Sequence, residues 1–150
     1  MPYRICKSIR VESGHMLTKH TGKCKYPHGH SRQVEIVLEA DELDSKDMVC
    51  DFKAVTTALG DFLSGFDHAM CVNTHDPMYK DLKSTYGDRV LGFEGVDPTT
   101  EVVAKFIYDK VAEALRSCVD SDAALVIQSA VRLVKVRVWE TTATWAEYFK

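Results

Sequence analysis

Apolar and polar residues alternate along residues 3–12, with Tyr3, Ile5, Ile9 and Val11 on one parity, which predicts a half-buried strand. The same period of two runs through residues 28–40, where Val34, Ile36, Leu38 and Ala40 share the even face. A polar cluster at 41–47 predicts a turn between strands. The period then lengthens. Asp51 is placed to cap a helix over about 52–64, whose apolar stripe is Phe52, Val55, Leu59, Phe62 and Leu63. Residues 69–97 are the least regular and predict a long surface loop with a short helix near 78–84. Pro98-Thr99-Thr100-Glu101 opens a second helix to about 117, with apolar Val103, Phe106, Ile107, Val111, Ala114 and Leu115. Residues 131–140 predict a last strand with Val134, Val136 and Val138 on its even face. Strands and helices in this order describe an α+β domain with an antiparallel sheet.

The chain has 150 residues and no repeat or linker-like tract, so a single domain over 1–150 is expected. Apolar residues are 45% and charged residues 27%, which excludes disorder by composition. Nineteen basic against 22 acidic side chains give a net charge of −3, which argues against nucleic-acid and membrane-surface binding. No apolar run has the length of a membrane-spanning helix, and the start is too polar for a signal peptide. Five scattered cysteines do not form a secreted disulfide framework, so a reducing, cytoplasmic location is expected. Cys6, Cys50, Cys71 and Cys118 are expected as small buried hydrophobes.

His28 and His30 flank one glycine. On a strand their side chains project to the same face about 7 Å apart, and they share parity with Val34, Ile36 and Leu38. His15 shares parity with Ile9 and Val11, provided Gly14 does not shift the register. If these two strands are neighbours, three imidazoles converge at one sheet end. Three histidines with a fourth position left open are the ligand set of a catalytic zinc site, whereas a polar pair at a sheet end needs no metal. Gly29 keeps side-chain bulk from between the two ligands. Cys24, four residues before His28, is either a fourth ligand that closes the site or a nucleophile or base beside it, with Lys23 and Lys25 adjacent.

Asp67-His68 is either an oriented proton relay or a loop pair at a helix end. Glu140 carries a carboxylate toward an apolar interior and needs donors there: a planar ligand offering an N–H beside an amino group, or an arginine such as Arg137 or Arg132. Glu101 stabilises a helix start, with ligand contact as its second reading. His20 and His75 read as solvated. Lys19, Lys23, Lys25 and Arg32 are candidates for phosphate contact or plain surface charge. No Gly-rich phosphate loop, Gly-x-Ser-x-Gly elbow, His-Glu-x-x-His helix or Cys-x-x-Cys pair is present.

Ser13-Gly14-His15, Cys24-x-x-x-His28-Gly29-His30, Met48-Val49-x-Asp51-Phe52, Asp67-His68 with Asn73, Pro98-Thr99-Thr100-Glu101 and Val136-x-Val138-x-Glu140-Thr141 occur in this order. Together they resemble the 6-pyruvoyl-tetrahydropterin synthase family, and within it the 6-carboxy-tetrahydropterin synthases of queuosine biosynthesis. The resemblance implies the tunnelling fold: a four-stranded antiparallel sheet with two helices on one face, subunits joined in barrels, and a homohexamer of two trimers with active sites between subunits. It implies Zn2+ on His15, His28 and His30, Cys24 as base, Asp67 and His68 as relay, and Glu140 as the anchor of the pterin ring, with Thr100 and Glu101 beside it. The implied reaction is zinc-dependent lysis of 7,8-dihydroneopterin triphosphate. The side chain either cleaves to 6-carboxy-5,6,7,8-tetrahydropterin, acetaldehyde and triphosphate, or loses triphosphate alone to give 6-pyruvoyl-tetrahydropterin. A non-catalytic zinc-stabilised pterin-binding module is the third reading. Three departures from the family pattern bear on the substrate side chain. Glu12-Ser13-Gly14 replaces a Phe-x-Ala-Ala-like run before His15, Asp47 stands where glycine is usual before Met-Val, and residues 71–97 form a longer segment.

Overall fold

A computed structural model describes residues 2–119 and 127–150. β1 (Tyr3–Met16) and β2 (His28–Ala40) form a long antiparallel pair, followed by α1 (Phe52–Ala58), α2 (Gly60–Phe66), β3 (Ala69–Asn73) and α3 (Tyr79–Tyr86). β4 (Val90–Phe93), α4 (Thr100–Val119), β5 (Arg132–Trp139) and β6 (Trp145–Phe149) complete the order. The strands make one six-stranded sheet in the order β4-β3-β1-β2-β5-β6. β1, β2, β5 and β6 pair antiparallel, while β3 and β4 run parallel to β1.

The α+β class expected from sequence is present, but among the described residues the sheet is mixed and six-stranded and there are four α-helices, which corrects the four-stranded antiparallel sheet with two helices. Most of the difference lies in 69–97, where β3 and β4 stand in the expected loop, while the short helix expected near 78–84 is present as α3. Ala69, Cys71, Val72 and Asn73 are all buried, so β3 shows no alternation; strands covered on both faces read as continuous apolar runs. β6 is an exposed five-residue edge with equally little pattern. The helix expected over 52–64 is two helices, broken at Leu59 before Gly60. Its first apolar residue, Phe52, is exposed, while Val55, Leu59 and Phe66 are buried.

The alternation in β1 and β2 sorts their side chains as expected. Val11, Val34, Ile36, Leu38 and Ala40 pack with Val55 of α1, Phe66 of α2, and Val103, Ile107 and Val111 of α4 in one core. Over β2, β5 and β6 the opposite sheet face is polar; there Arg137 and Lys135 pair with Glu147, and the Trp139 indole N–H donates to Glu35. At β3 and β4, by contrast, Val72 and Val90 pack with Met16 under Tyr79 and Leu82 of α3. The even-face reading of β5 holds for Val136 and Val138. At Val134 a bulge intervenes, because Val37 pairs with Lys135 while Leu38 pairs with Leu133. Cys50 and Cys71 are buried as expected, Cys118 is half-buried, and Cys6 is exposed on the polar sheet face. No described helix is long and apolar enough to cross a membrane.

Candidate metal centre and its surroundings

Gly14 lies directly opposite Gly29 and keeps the register intact, so His15 pairs with His28 and Ser13 with His30. The ring centroids of His15 and His28 are 4.5 Å apart, and each is placed 5.2 Å from His30 in the remaining two pairs. One nitrogen from each ring falls in a set whose members all lie within 4.8 Å of one another. Cys24 is not in that set. It sits, half-buried, in a 3-10 turn at Lys23–Lys25, where its carbonyl accepts the Leu17 N–H at 3.0 Å.

Two backbone carbonyls orient the rings. His15 Nδ1–H donates to the Pro98 carbonyl at 2.8 Å, and His28 Nδ1–H donates to the Tyr26 carbonyl at 2.7 Å. Each bond fixes a tautomer with its proton on Nδ1, leaving Nε2 with a lone pair. With His15 Nδ1–H committed to Pro98, Arg32 Nη2 at 3.2 Å from the same nitrogen is a packing contact and not a second hydrogen bond. Burial lowers His15 from its usual 6.5 to about 4; Arg32 and His28 push the same way, against Pro98 and Glu140. Burial likewise lowers His30, with Glu140 opposing. Both rings are therefore neutral near pH 7.

Glu140 Oε1 stands 3.6 Å from His15 Nε2 and 3.5 Å from His30 Nε2. Those two nitrogens are buried and have no hydrogen-bond partner. The His15 lone pair and the carboxylate oxygen turned toward it repel unless a cation lies between them. Three converging imidazoles, two of them with such orphaned nitrogens, fit a zinc ion, and His15, His28 and His30 would hold it. Glu140 finds its donor in the Thr100 hydroxyl at 2.9 Å, not in Arg137 or Arg132, which bond instead to Glu147 and to Glu39 and Asp41.

Asp67 and His68 do meet. His68 Nδ1–H donates to Asp67 Oδ2 at 2.9 Å, and the Glu12 N–H donates to Asp67 Oδ1 at 2.8 Å. That backbone donor, with His68 behind it, holds the Asp67 carboxyl below the usual carboxylate range. The backbone at His68 is left-handed, with φ 62°, and its N–H donates to the Glu12 carbonyl at 2.7 Å. His68 is exposed, and it lines a cleft of about 350 Å3 together with Gly14, Gly29, His30 and Met70. Gly14 and Gly29 thus line the same cleft as His30 of the histidine cluster and His68.

Glu101 is exposed in the first turn of α4, apart from the buried Thr100 beside it. His20 and His75 are exposed as expected. Arg32 is not surface charge: it is fully buried, with Nη1 3.3 Å from the Thr100 hydroxyl. Its even parity with Val34 and Ile36 was the available signal for this. The role of Pro98 was hidden because a backbone carbonyl leaves no side-chain trace. Buried Asp97, immediately before it, accepts from Asn73 Nδ2 at 2.9 Å and from the Lys19 N–H at 2.8 Å.

A mixed sheet with α1, α2 and α4 on one face, α3 against the other at β3 and β4, and three strand-borne histidines at its end has counterparts among solved structures. A solved structure of an uncharacterized protein from Wolinella succinogenes superposes with a TM-score of 0.74 at 20% identity, covering 99% of this chain and 98% of that one. The Caenorhabditis elegans 6-pyruvoyl tetrahydropterin synthase gives 0.67 at 18% identity, covering 100% and 96%. In sequence, a 6-carboxy-5,6,7,8-tetrahydropterin synthase from Aquifex aeolicus is 34% identical across 99% of this chain and 98% of its own length. The Bacillus subtilis enzyme of the same name is 26% identical across 97% and 84%. The family model for 6-pyruvoyl tetrahydropterin synthase matches residues 4–150, and the chain belongs to that family.

Proposed function

We propose that this protein is a zinc-dependent lyase that converts 7,8-dihydroneopterin triphosphate to 6-carboxy-5,6,7,8-tetrahydropterin, acetaldehyde and triphosphate. The observation that carries this reading is the convergence of three imidazoles, two of which turn unpartnered nitrogens toward the Glu140 carboxylate across a gap. The full-length similarity to the Aquifex protein of that activity supports the product assignment. Zinc would supply Lewis-acid polarisation of hydroxyl groups on the substrate side chain. Glu140 binds the N–H and amino edge of the pterin, which orients the side chain toward the three histidines. Cys24, outside the ligand set and half-buried, removes and returns a proton on one side of that chain. His68, held by Asp67 and lining the same cleft as His30, handles the proton on the other side. Thr100 holds the Glu140 carboxylate, and Glu101 contributes at the pocket rim.

The sheet ends in open edges at β4 and β6, which is compatible with the expected homohexamer, and active sites completed between subunits are part of this proposal. The deciding experiment is product analysis with zinc-loaded protein and 7,8-dihydroneopterin triphosphate. Acetaldehyde released in step with turnover is expected. Triphosphate release with no acetaldehyde assigns the 6-pyruvoyl reaction instead, and pterin binding with no product assigns a binding module.

A further inference from the structure

Arg32 is the largest fully buried side chain of the core, with 0% of its surface exposed. A guanidinium taken wholly out of water is costly unless its charge and its donors are answered. No carboxylate meets it directly among the described residues, and its Nε has no partner there. Its hydrogen bond runs instead from Nη1 to the Thr100 hydroxyl at 3.3 Å. Thr100 then donates its single hydroxyl proton to Glu140 Oε1 at 2.9 Å. Burial works against the Arg32 charge, and the Glu140 carboxylate works to keep it.

The polarity of this chain follows from atom inventory. A hydroxyl has one proton and two lone pairs. With Nη1–H occupying a lone pair, the proton is free to point only away from the guanidinium, toward Glu140. Thr100 is also released from the ordinary duty of a threonine at a helix start, because Thr99 Oγ1 accepts the Val102 N–H and caps α4. Arg32 itself is locked by packing, between His15 on β1 and the start of α4, with Cys71 of β3 close by. A fixed cation therefore sets a hydroxyl, and the hydroxyl sets one oxygen of a carboxylate that is 29% exposed at its side chain and would otherwise turn freely.

The geometry points to Arg32 as a positioning residue that aims Glu140 at the pterin, acting through Thr100. This rests on the reading of Glu140 as the pterin-recognising carboxylate. The buried arginine never touches substrate; it restricts the carboxylate to one orientation before the ligand arrives.

The test is binding of 7,8-dihydroneopterin to the zinc-loaded protein, followed by fluorescence, in R32M, T100V, T100S, the R32M/T100V double variant and E140Q. Hydrogen bonds to charged groups carry energies that correspond to roughly ten- to a hundredfold in affinity. R32M and T100V are each expected to weaken binding by a factor in that range with zinc content unchanged. T100S, which keeps the hydroxyl, should bind as wild type does. The double variant should bind no worse than the weaker single one, because both break the same chain, and turnover should show a raised KM with kcat little altered. T100V binding within twofold of wild type while E140Q binds poorly overturns the proposal. Multiplying effects of R32M and T100V overturn it too, since they mark two independent structural lesions. Should R32M fail to fold, the T100V and T100S pair decides alone. If E140Q binds as wild type does, the Glu140 assignment falls and its positioning chain with it.

Discussion

His15 and His28 are cross-strand partners, and their rings lie 4.5 Å apart because β1 and β2 keep an unbroken register through the Gly14–Gly29 pair. The pairing makes both rings depend on the same ladder, yet their settings differ: His15 is buried and His28 is half-buried.

Each of His15→Ala, His28→Ala and His30→Ala is expected to cut bound zinc to a small fraction of one ion per chain, measured by metal analysis after purification. Only His15→Ala should also lower stability markedly, by about 1–3 kcal/mol, because it leaves the buried Pro98 carbonyl without a donor. Equal zinc content in all three variants and wild type would sink the ligand assignment.

Cys24→Ala and His68→Gln are expected to retain zinc and lower kcat by roughly a hundredfold or more, the usual size of a lost acid–base group. Zinc loss in Cys24→Ala, together with a lower melting temperature, would instead make the cysteine a structural ligand.

Asp97→Ala removes the acceptor for Asn73 Nδ2 and the Lys19 N–H, and loosens the chain just before Pro98. A loss of about 1–3 kcal/mol is expected in urea unfolding. Zinc affinity should fall about tenfold in a competition titration, as outer supports of metal ligands usually dictate. Unchanged zinc affinity in a destabilised variant would show that Pro98 is held by other means.

The metal-free protein should lose stability on acidification. His15 is lowered from 6.5 to about 4 in the folded chain, so between those values the unfolded chain binds a proton that the folded chain refuses. Stability is therefore full above about pH 6.5, falls as the pH drops toward 4 and levels off below, a change on the order of 3 kcal/mol for this residue. His30 shifts in the same direction and steepens the fall. Urea midpoints of chelator-treated protein measured from pH 7.5 to 4.5 check this, and a flat profile would contradict it.

Where one face of an element is wet and the other dry, the sequence announces the element. β2 alternates over its length, and that alternation also carried His28 and His30 to the core side and would have carried Arg32 there. β3 is buried on both faces and β4 has only four residues, so neither leaves a period to read. At Val134 the bulge breaks a parity that pattern alone treats as continuous. The cluster of three imidazoles and the Asp67–His68 pair were legible because their side chains name themselves. The Tyr26 and Pro98 carbonyls were not, since any residue supplies one and only the folded path decides which carbonyl meets a ring.

All three imidazoles hang from a hydrogen-bonded ladder, and two of them are tethered by main-chain oxygens. An ion arriving there finds the rings already in place and has no chain segment to organise. Its capture should then proceed at the pace at which the ion sheds water, and stripping it out and restoring it should cycle without refolding.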